Sequence, residues 1–149
     1  MLDPFQLEKY FERLPHRRDL VLFDSIIEAT SDSVVCSGVS RNPSGSKGAN
    51  NYHSVSSLSG VEYIAQAAGL GKIIDADNKK HHILQKGAVI RLRDMKLHQE
   101  RIPLNERILT YASWSSSVQG AFDVRGRIVL EADSSLIIME GRLMIVEFE

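Results

Sequence analysis

The sequence predicts an α+β fold, a long, curved antiparallel sheet wrapped around one central helix. Three observations lead there. Residues 58–76 carry Leu58, Val61, Ala65, Ala68 and Ile73 near one helical stripe, while Ile64, Ala67 and Leu70 widen the apolar surface almost all the way round, and a helix apolar on every side must be enclosed by protein. From Lys86 onward the chain reads as long runs rich in Val, Ile, Leu and aromatic residues, broken by turn residues, the pattern of antiparallel strands. The 149 residues, 43% apolar and 25% charged, suit one soluble domain spanning 1–149 around one core.

The elements follow in order. Phe5 to Arg13 predicts a short helix, ended by Leu14-Pro15 because a residue before proline avoids the helical region. Asp19 to Thr30 and Ser33 to Val39 predict two strands joined by the turn-like Ala29-Thr30-Ser31-Asp32-Ser33. Residues 42–51, Asn-Pro-Ser-Gly-Ser-Lys-Gly-Ala-Asn-Asn, form a loop by composition. The buried helix follows. Asp75 to His82, DADNKKHH, should leave the core. Four strands are then predicted over 87–98, 107–118, 121–132 and 135–148. The third alternates most clearly, with Phe122, Val124, Gly126, Ile128 and Leu130 on one face and Asp123, Arg125, Arg127 and Val129 on the other. Val118-Gln119-Gly120 and Ala132-Asp133-Ser134 read as hairpin turns, and Ile102-Pro103-Leu104-Asn105 as a connection. A sheet that covers its helix on one side leaves an open edge, so pairing of two subunits is expected.

Composition narrows the function. A net charge of -1 gives no electrostatic basis for binding nucleic acid. No basic-then-apolar leader opens the chain and no window approaches the roughly 20 apolar residues that span a bilayer, so a soluble, cytoplasmic protein without membrane insertion is expected. The single cysteine, Cys36, lies in the apolar run Val34-Val35-Cys36 and reads as a small buried hydrophobe in a reducing compartment.

Leu14-Pro15-His16-Arg17 followed by Leu20-Val21-Leu22-Phe23-Asp24 resembles the opening of the bacterial 3-hydroxyacyl-carrier-protein dehydratases, and Gly60-Val61-Glu62-Tyr63-Ile64-Ala65-Gln66-Ala67 is similar to the start of their central helix. The glutamate, tyrosine, apolar residue, alanine, glutamine version looks most like the branch found with aryl-polyene biosynthesis, as do Lys86-Gly87-Ala88-Val89-Ile90-Arg91 and Ile102-Pro103-Leu104-Asn105. The resemblance covers most of the chain in order. It implies a hotdog fold, dimeric or paired with a homologous hotdog subunit, and a substrate carried on the phosphopantetheine of an acyl carrier protein. The implied reaction is elimination of water to a trans-2-enoyl thioester, with no other cofactor.

Such an elimination needs a base for the α proton, an acid for the leaving hydroxyl and donors for the developing enolate oxygen. Histidine suits the first, a carboxyl in an apolar setting the second, and backbone N–H groups at a helix start the third. Glu62, in the first turn of the buried helix, is the candidate acid, and Gln66, one turn on, its orienting partner. The Gly60 backbone is the oxyanion candidate, since glycine permits close approach. Each has a plainer reading: Ser59-Gly60-Val61-Glu62 also fits a capping box, Gln66 a satisfied core amide, Gly60 simple helix entry.

Two histidines compete as base. The glycine-histidine-phenylalanine-proline segment of the best-known relatives is absent. His16, in the Leu-Pro-His match, ranks first, with the plainer role of fixing the loop before the first strand. His53, nine positions before Glu62 and closer than that motif's usual spacing, ranks second, with the plainer role of a surface loop residue. His81, His82 and His98 read as solvent-facing, and no metal site is expected. Trp114, Phe122 and Met139 are candidate lining for an acyl tunnel, or ordinary core. Arg91, Arg93 and Lys96, or Arg125 and Arg127, would suit an acidic carrier, or form a solvated strand face. Two other activities fit the same fold: a hotdog thioesterase, and a catalytically degenerate acyl-binding or partner subunit.

Overall fold

A computed structural model describes residues 4–13, 21–41, 54–79, 86–116 and 120–148. Helix α1 (Pro4–Glu12) precedes β1 (Ser25–Ala29) and β2 (Ser33–Val39). The short strand β3 (Ser54–Ser56) and a 3-10 turn, Ser57–Ser59, lead into α2 (Gly60–Asn78). Then come β4 (Lys86–Leu97), β5 (Arg101–Pro103), β6 (Arg107–Ser116), β7 (Ala121–Leu130) and β8 (Ile137–Phe148). Six strands form one sheet in the order β1-β2-β6-β7-β8-β4, with every described pairing antiparallel, and β3 pairs with β5 apart from it.

Helix α2 lies across one face of the sheet, chiefly on β6 and β2 and then on β7 and β8. Its Tyr63, Ile64, Ala67, Ala68 and Leu70 are fully enclosed against Val34, Ile108, Val124, Ile128 and Leu143. Small residues set the approach. A side chain at Gly126 would run into Ile64, and one at Gly71 into the Trp114 ring and Val34, so backbone and side chains meet there without room for a Cβ. This is the expected sheet wrapped on a helix.

Three differences from the sequence reading have physical causes. Helix α2, predicted over 58–76 with the chain leaving the core from Asp75, stays packed past that point. It runs to Asn78, with Ala76 buried, because Asp77 finds distant partners: the Tyr10 hydroxyl at 3.1 Å, Arg13 at 3.3 Å and Lys9 at 3.5 Å. Those contacts dock α1 on the end of α2. The alternation of β7 breaks at Ile128/Val129, where the register with β8 shifts and Ile138 becomes the extra residue, so Val129 is buried with its neighbour rather than exposed. The freed Ile138 carbonyl accepts from the Gln99 N–H at 3.0 Å. Finally, the connection at 101–105 contains a strand, β5, that pairs with β3.

The edge strand β4 stands apart. Its Val89, Leu92 and Leu97 are register partners of the buried Ile145, Leu143 and Met139 and so face the helix side, yet they remain 37%, 46% and 42% exposed, and Ile90, at a register shift, is 59% exposed.

Candidate active site

The start of α2 is built by a chain of contacts that begins at the bulge. Gln99, held by Ile138, offers its carbonyl to the Ser57 hydroxyl, and the Glu100 carbonyl accepts from the Ser57 N–H at 2.9 Å. Ser56 Oγ accepts from the Leu58 N–H at 3.3 Å. Arg101 reaches across to β3, donating to Ser54 Oγ at 2.6 Å and to the Ser54 carbonyl at 2.9 Å. The first turn of α2 then rests on the cross-strand pair Ile128–Met139: an ideal Cβ at Gly60 would sit 2.7 Å from Ile128 Cδ1 and 2.9 Å from Met139 Sδ.

Gly60 opens the helix directly from these contacts. Its N–H turns back into the 3-10 turn, towards Ser57 O and Leu58 O, and the space its missing side chain leaves is filled by Ile128 and Met139. The close approach that glycine allows here is that of the protein's own sheet.

Glu62 is half-buried in the first turn of α2. The capping-box alternative loses its first half, because the Ser59 side chain makes no capping hydrogen bond. Gln66, 2% exposed, lies one turn on, and its Oε1 accepts the Leu22 N–H at 3.0 Å, a partner 44 positions away that periodicity could not reveal. Tyr63, which the sequence reading treated only as part of the motif, is fully buried and carries a hydroxyl bonded twice to one residue: it accepts from the Arg41 N–H at 2.9 Å and donates to the Arg41 carbonyl at 2.8 Å. Burial raises its pKa above that of an ordinary phenol. Its ring meets Phe23 edge-on at 6.0 Å. Asp24, the end of the apolar run in the dehydratase-like opening, forms a two-pronged pair with Arg107 at 2.8 and 3.1 Å.

His16 and His53 lie outside the described residues, as do His81 and His82. His98 is exposed, 3.7 Å from Glu140. Among the described residues no three His, Cys, Asp or Glu side chains are grouped to hold a metal ion. The tunnel candidates pack the helix: Met139 lies under Gly60, Trp114 against Gly71, and Phe122 beneath the Lys72 ammonium at 3.3 Å, itself paired with Glu147 at 3.0 Å. The register places Arg93, Arg125 and Arg142 in one cross-strand row, and Lys96, Glu140 and Arg127 in the next, on the sheet face away from α2. Acidic residues run among them, with Asp123 and Asp94 each 3.8 Å from an arginine, as on a solvated strand face.

A family model for the ApeP dehydratases, the ApeP-like family, matches residues 8–148. The chain belongs to the ApeP-like dehydratase family. The hydro-lyase class and the dehydration of acyl thioesters come with that membership. Among solved structures, this ApeP-like chain is similar to the dehydratase heterocomplex ApeI:P from Xenorhabdus doucetiae, with a TM-score of 0.78 and 18% identity over 94% of this chain and 91% of that one. It is also similar to a hypothetical thioesterase with coenzyme A from Streptococcus pneumoniae (TM-score 0.63, 11% identity, 95% and 96% covered). Zebra fish thioesterase superfamily member 2 is comparably similar (TM-score 0.65, 11% identity, 100% of both chains). These likenesses establish the hotdog fold. No curated protein matches the sequence. Among the described residues, no helix of this ApeP-like chain is long and apolar enough to cross a membrane.

Proposed function

We propose that this chain dehydrates 3-hydroxyacyl thioesters carried on the phosphopantetheine of an acyl carrier protein, in the cytoplasm, and that it does so paired with a second hotdog subunit. Glu62 protonates the leaving hydroxyl, and a histidine, His16 or His53, removes the α proton. No further cofactor takes part. The observation that carries the assignment is the position of Glu62: a half-buried carboxyl in the first turn of the enclosed helix, in a cap whose serine side chain is not engaged. A carboxyl at the start of the enclosed helix is placed to act as general acid on a departing oxygen.

Pairing is supported by β4. Its helix-side residues Val89, Leu92 and Leu97 are only partly covered, and among the described strands β4 is the edge of the sheet. A second hotdog subunit would extend the sheet and bury these side chains. The ApeI:P structure is by its description a heterocomplex, which favours a homologous partner as much as a second copy.

The test is mass spectrometry of a 3-hydroxyacyl carrier protein after incubation with the purified chain, alone and with a homologous hotdog subunit. Loss of one water, abolished in Glu62→Gln, is the expected result. Release of free acid would replace this reading with a thioesterase, and unchanged substrate under both conditions would leave an acyl-binding subunit.

A further inference from the structure

The segments before β1 and after β2 satisfy their backbone groups in an unusual way. Val21, Leu22 and Phe23 lie outside any strand yet are each only 3% exposed, pressed so close to β2 that a side chain at Gly38 would strike the Leu22 carbonyl and Phe23 Cα. Buried backbone must find partners, and here side chains supply them. Gln66 takes the Leu22 N–H. On the other segment, Tyr63 takes both the N–H and the carbonyl of Arg41. The Arg41 guanidinium then reaches back to the Val21 carbonyl, joining the two segments that Tyr63 and Gln66 hold separately.

The result is a closed ring of covalent and hydrogen bonds: α2 to Arg41 through Tyr63, Arg41 to Val21, and Leu22 back to α2 through Gln66. It closes through the turn of α2 from Tyr63 to Gln66, which follows Glu62 directly. An exposed arginine gives up much rotamer freedom when fixed, and one hydrogen bond at the surface returns little of that as stability. What Arg41 adds is resistance to rotation and sliding of the first two turns of α2 against the sheet.

We propose that Arg41 is a positioning residue for the dehydration, acting with Tyr63 to fix the Glu62 carboxyl relative to the substrate. The inference rests on the reading of Glu62 as the acid. Displacements of about 1 Å at a reacting group cost on the order of 100-fold in rate, so loosening the ring by one link should show in turnover before it shows in folding.

The experiment compares Arg41→Met, Arg41→Lys, Tyr63→Phe and Glu62→Gln with the wild-type chain in the assembly that turns over a 3-hydroxyacyl carrier protein. It records kcat, KM, the pH–rate profile and thermal midpoint. Arg41→Met and Tyr63→Phe should each lower kcat about tenfold or more, with KM within about twofold. Both should displace the limb of the pH profile that Glu62→Gln removes. Arg41→Lys, which keeps a donor, should recover part of the loss. Wild-type kcat and an unmoved profile in Arg41→Met, beside an inactive Glu62→Gln, would overturn the positioning role while leaving the acid in place. A loss of activity that only follows the folded fraction would overturn it as well. An active Glu62→Gln would remove the acid reading and this inference with it.

Discussion

Gln66 Oε1 accepts the Leu22 N–H at 3.0 Å, tying the centre of the enclosed helix to the segment that leads into β1. Both residues are nearly inaccessible, at 2% and 3%. A buried N–H that loses its acceptor costs about 1–3 kcal/mol. Gln66→Met, similar in volume but without the acceptor, should therefore lower the unfolding free energy by that amount, read as a lower urea midpoint with an unchanged slope. If Gln66 served only to orient Glu62, stability would stay at the wild-type value while activity fell.

Gly60 makes a second stability prediction, tied to activity. Ile128 and Met139, directly opposed across β7 and β8, occupy the space where its Cβ would lie. The far ends of those side chains can yield to one methyl but not to a branched side chain as well. Gly60→Val should cost about 1–3 kcal/mol through overpacking, read from denaturant unfolding. Because the whole first turn is lifted from the sheet, kcat should fall with it. A variant of wild-type stability would show that the turn does not rest on this pair.

These contacts mark where sequence reasoning stopped. Periodicity located the long elements: β2 has the predicted bounds, Ser33–Val39, and α2 lies within two residues of the predicted start. It could not find β3 and β5, each three residues long, because so short a run has no measurable period. It placed Asp75 onward outside the core, although Ala76 is buried, because Asp77 is held by residues 64 to 68 positions away. The bulge at Ile138 was hidden because an inserted residue leaves apolar composition unchanged. At the site, the motif singled out Glu62 and Gln66 correctly as residues at the start of the helix, but the partners of Gln66, Tyr63 and Gly60 depend on tertiary approach. Cys36 was legible from its neighbours: it is fully buried, and burial pushes its thiol pKa up, as expected of an inert core residue.

The pairing of Asp24 with Arg107 predicts a pH dependence. The Arg107 hydrogen bonds hold the Asp24 carboxyl below the ordinary value of 3.8, against a smaller opposing effect of burial. A carboxyl with a depressed folded pKa contributes stability that is fully present above its unfolded value and lost as pH falls through the folded one. The contribution should therefore be complete at neutral pH and disappear below about pH 4. Asp24 and Arg107 side chains are 55% and 45% exposed, so solvent screening limits it to about 1 kcal/mol or less. Asp24→Asn should be slightly less stable than wild type at pH 7, equal to it near pH 2, and less sensitive to salt. Curves that stay parallel from pH 7 to pH 2 would mean that the pair contributes nothing through ionisation.

The uncovered side of β4 makes the largest prediction. Val89, Leu92 and Leu97 point to the same side as the enclosed Ile145, Leu143 and Met139, but among the described residues they are covered far less. Burying a fully exposed Val, Leu or Ile side chain contributes about 1.5–3 kcal/mol, and these are 37–46% exposed, so a subunit that covers two of them gains about 1–3 kcal/mol from this strip. A charge at the same place reverses the sign, since it must be desolvated without a partner. Leu92→Glu should therefore weaken subunit pairing by at least about 100-fold, and sedimentation equilibrium should report the mass of a single chain at concentrations where wild type is paired. Arg91→Glu, one residue away on the opposite face of the strand, alters charge without placing it in the strip and should leave the mass unchanged. Equal dissociation of both variants would point to bulk charge rather than the apolar strip, and a fully paired Leu92→Glu would move the subunit seam away from β4.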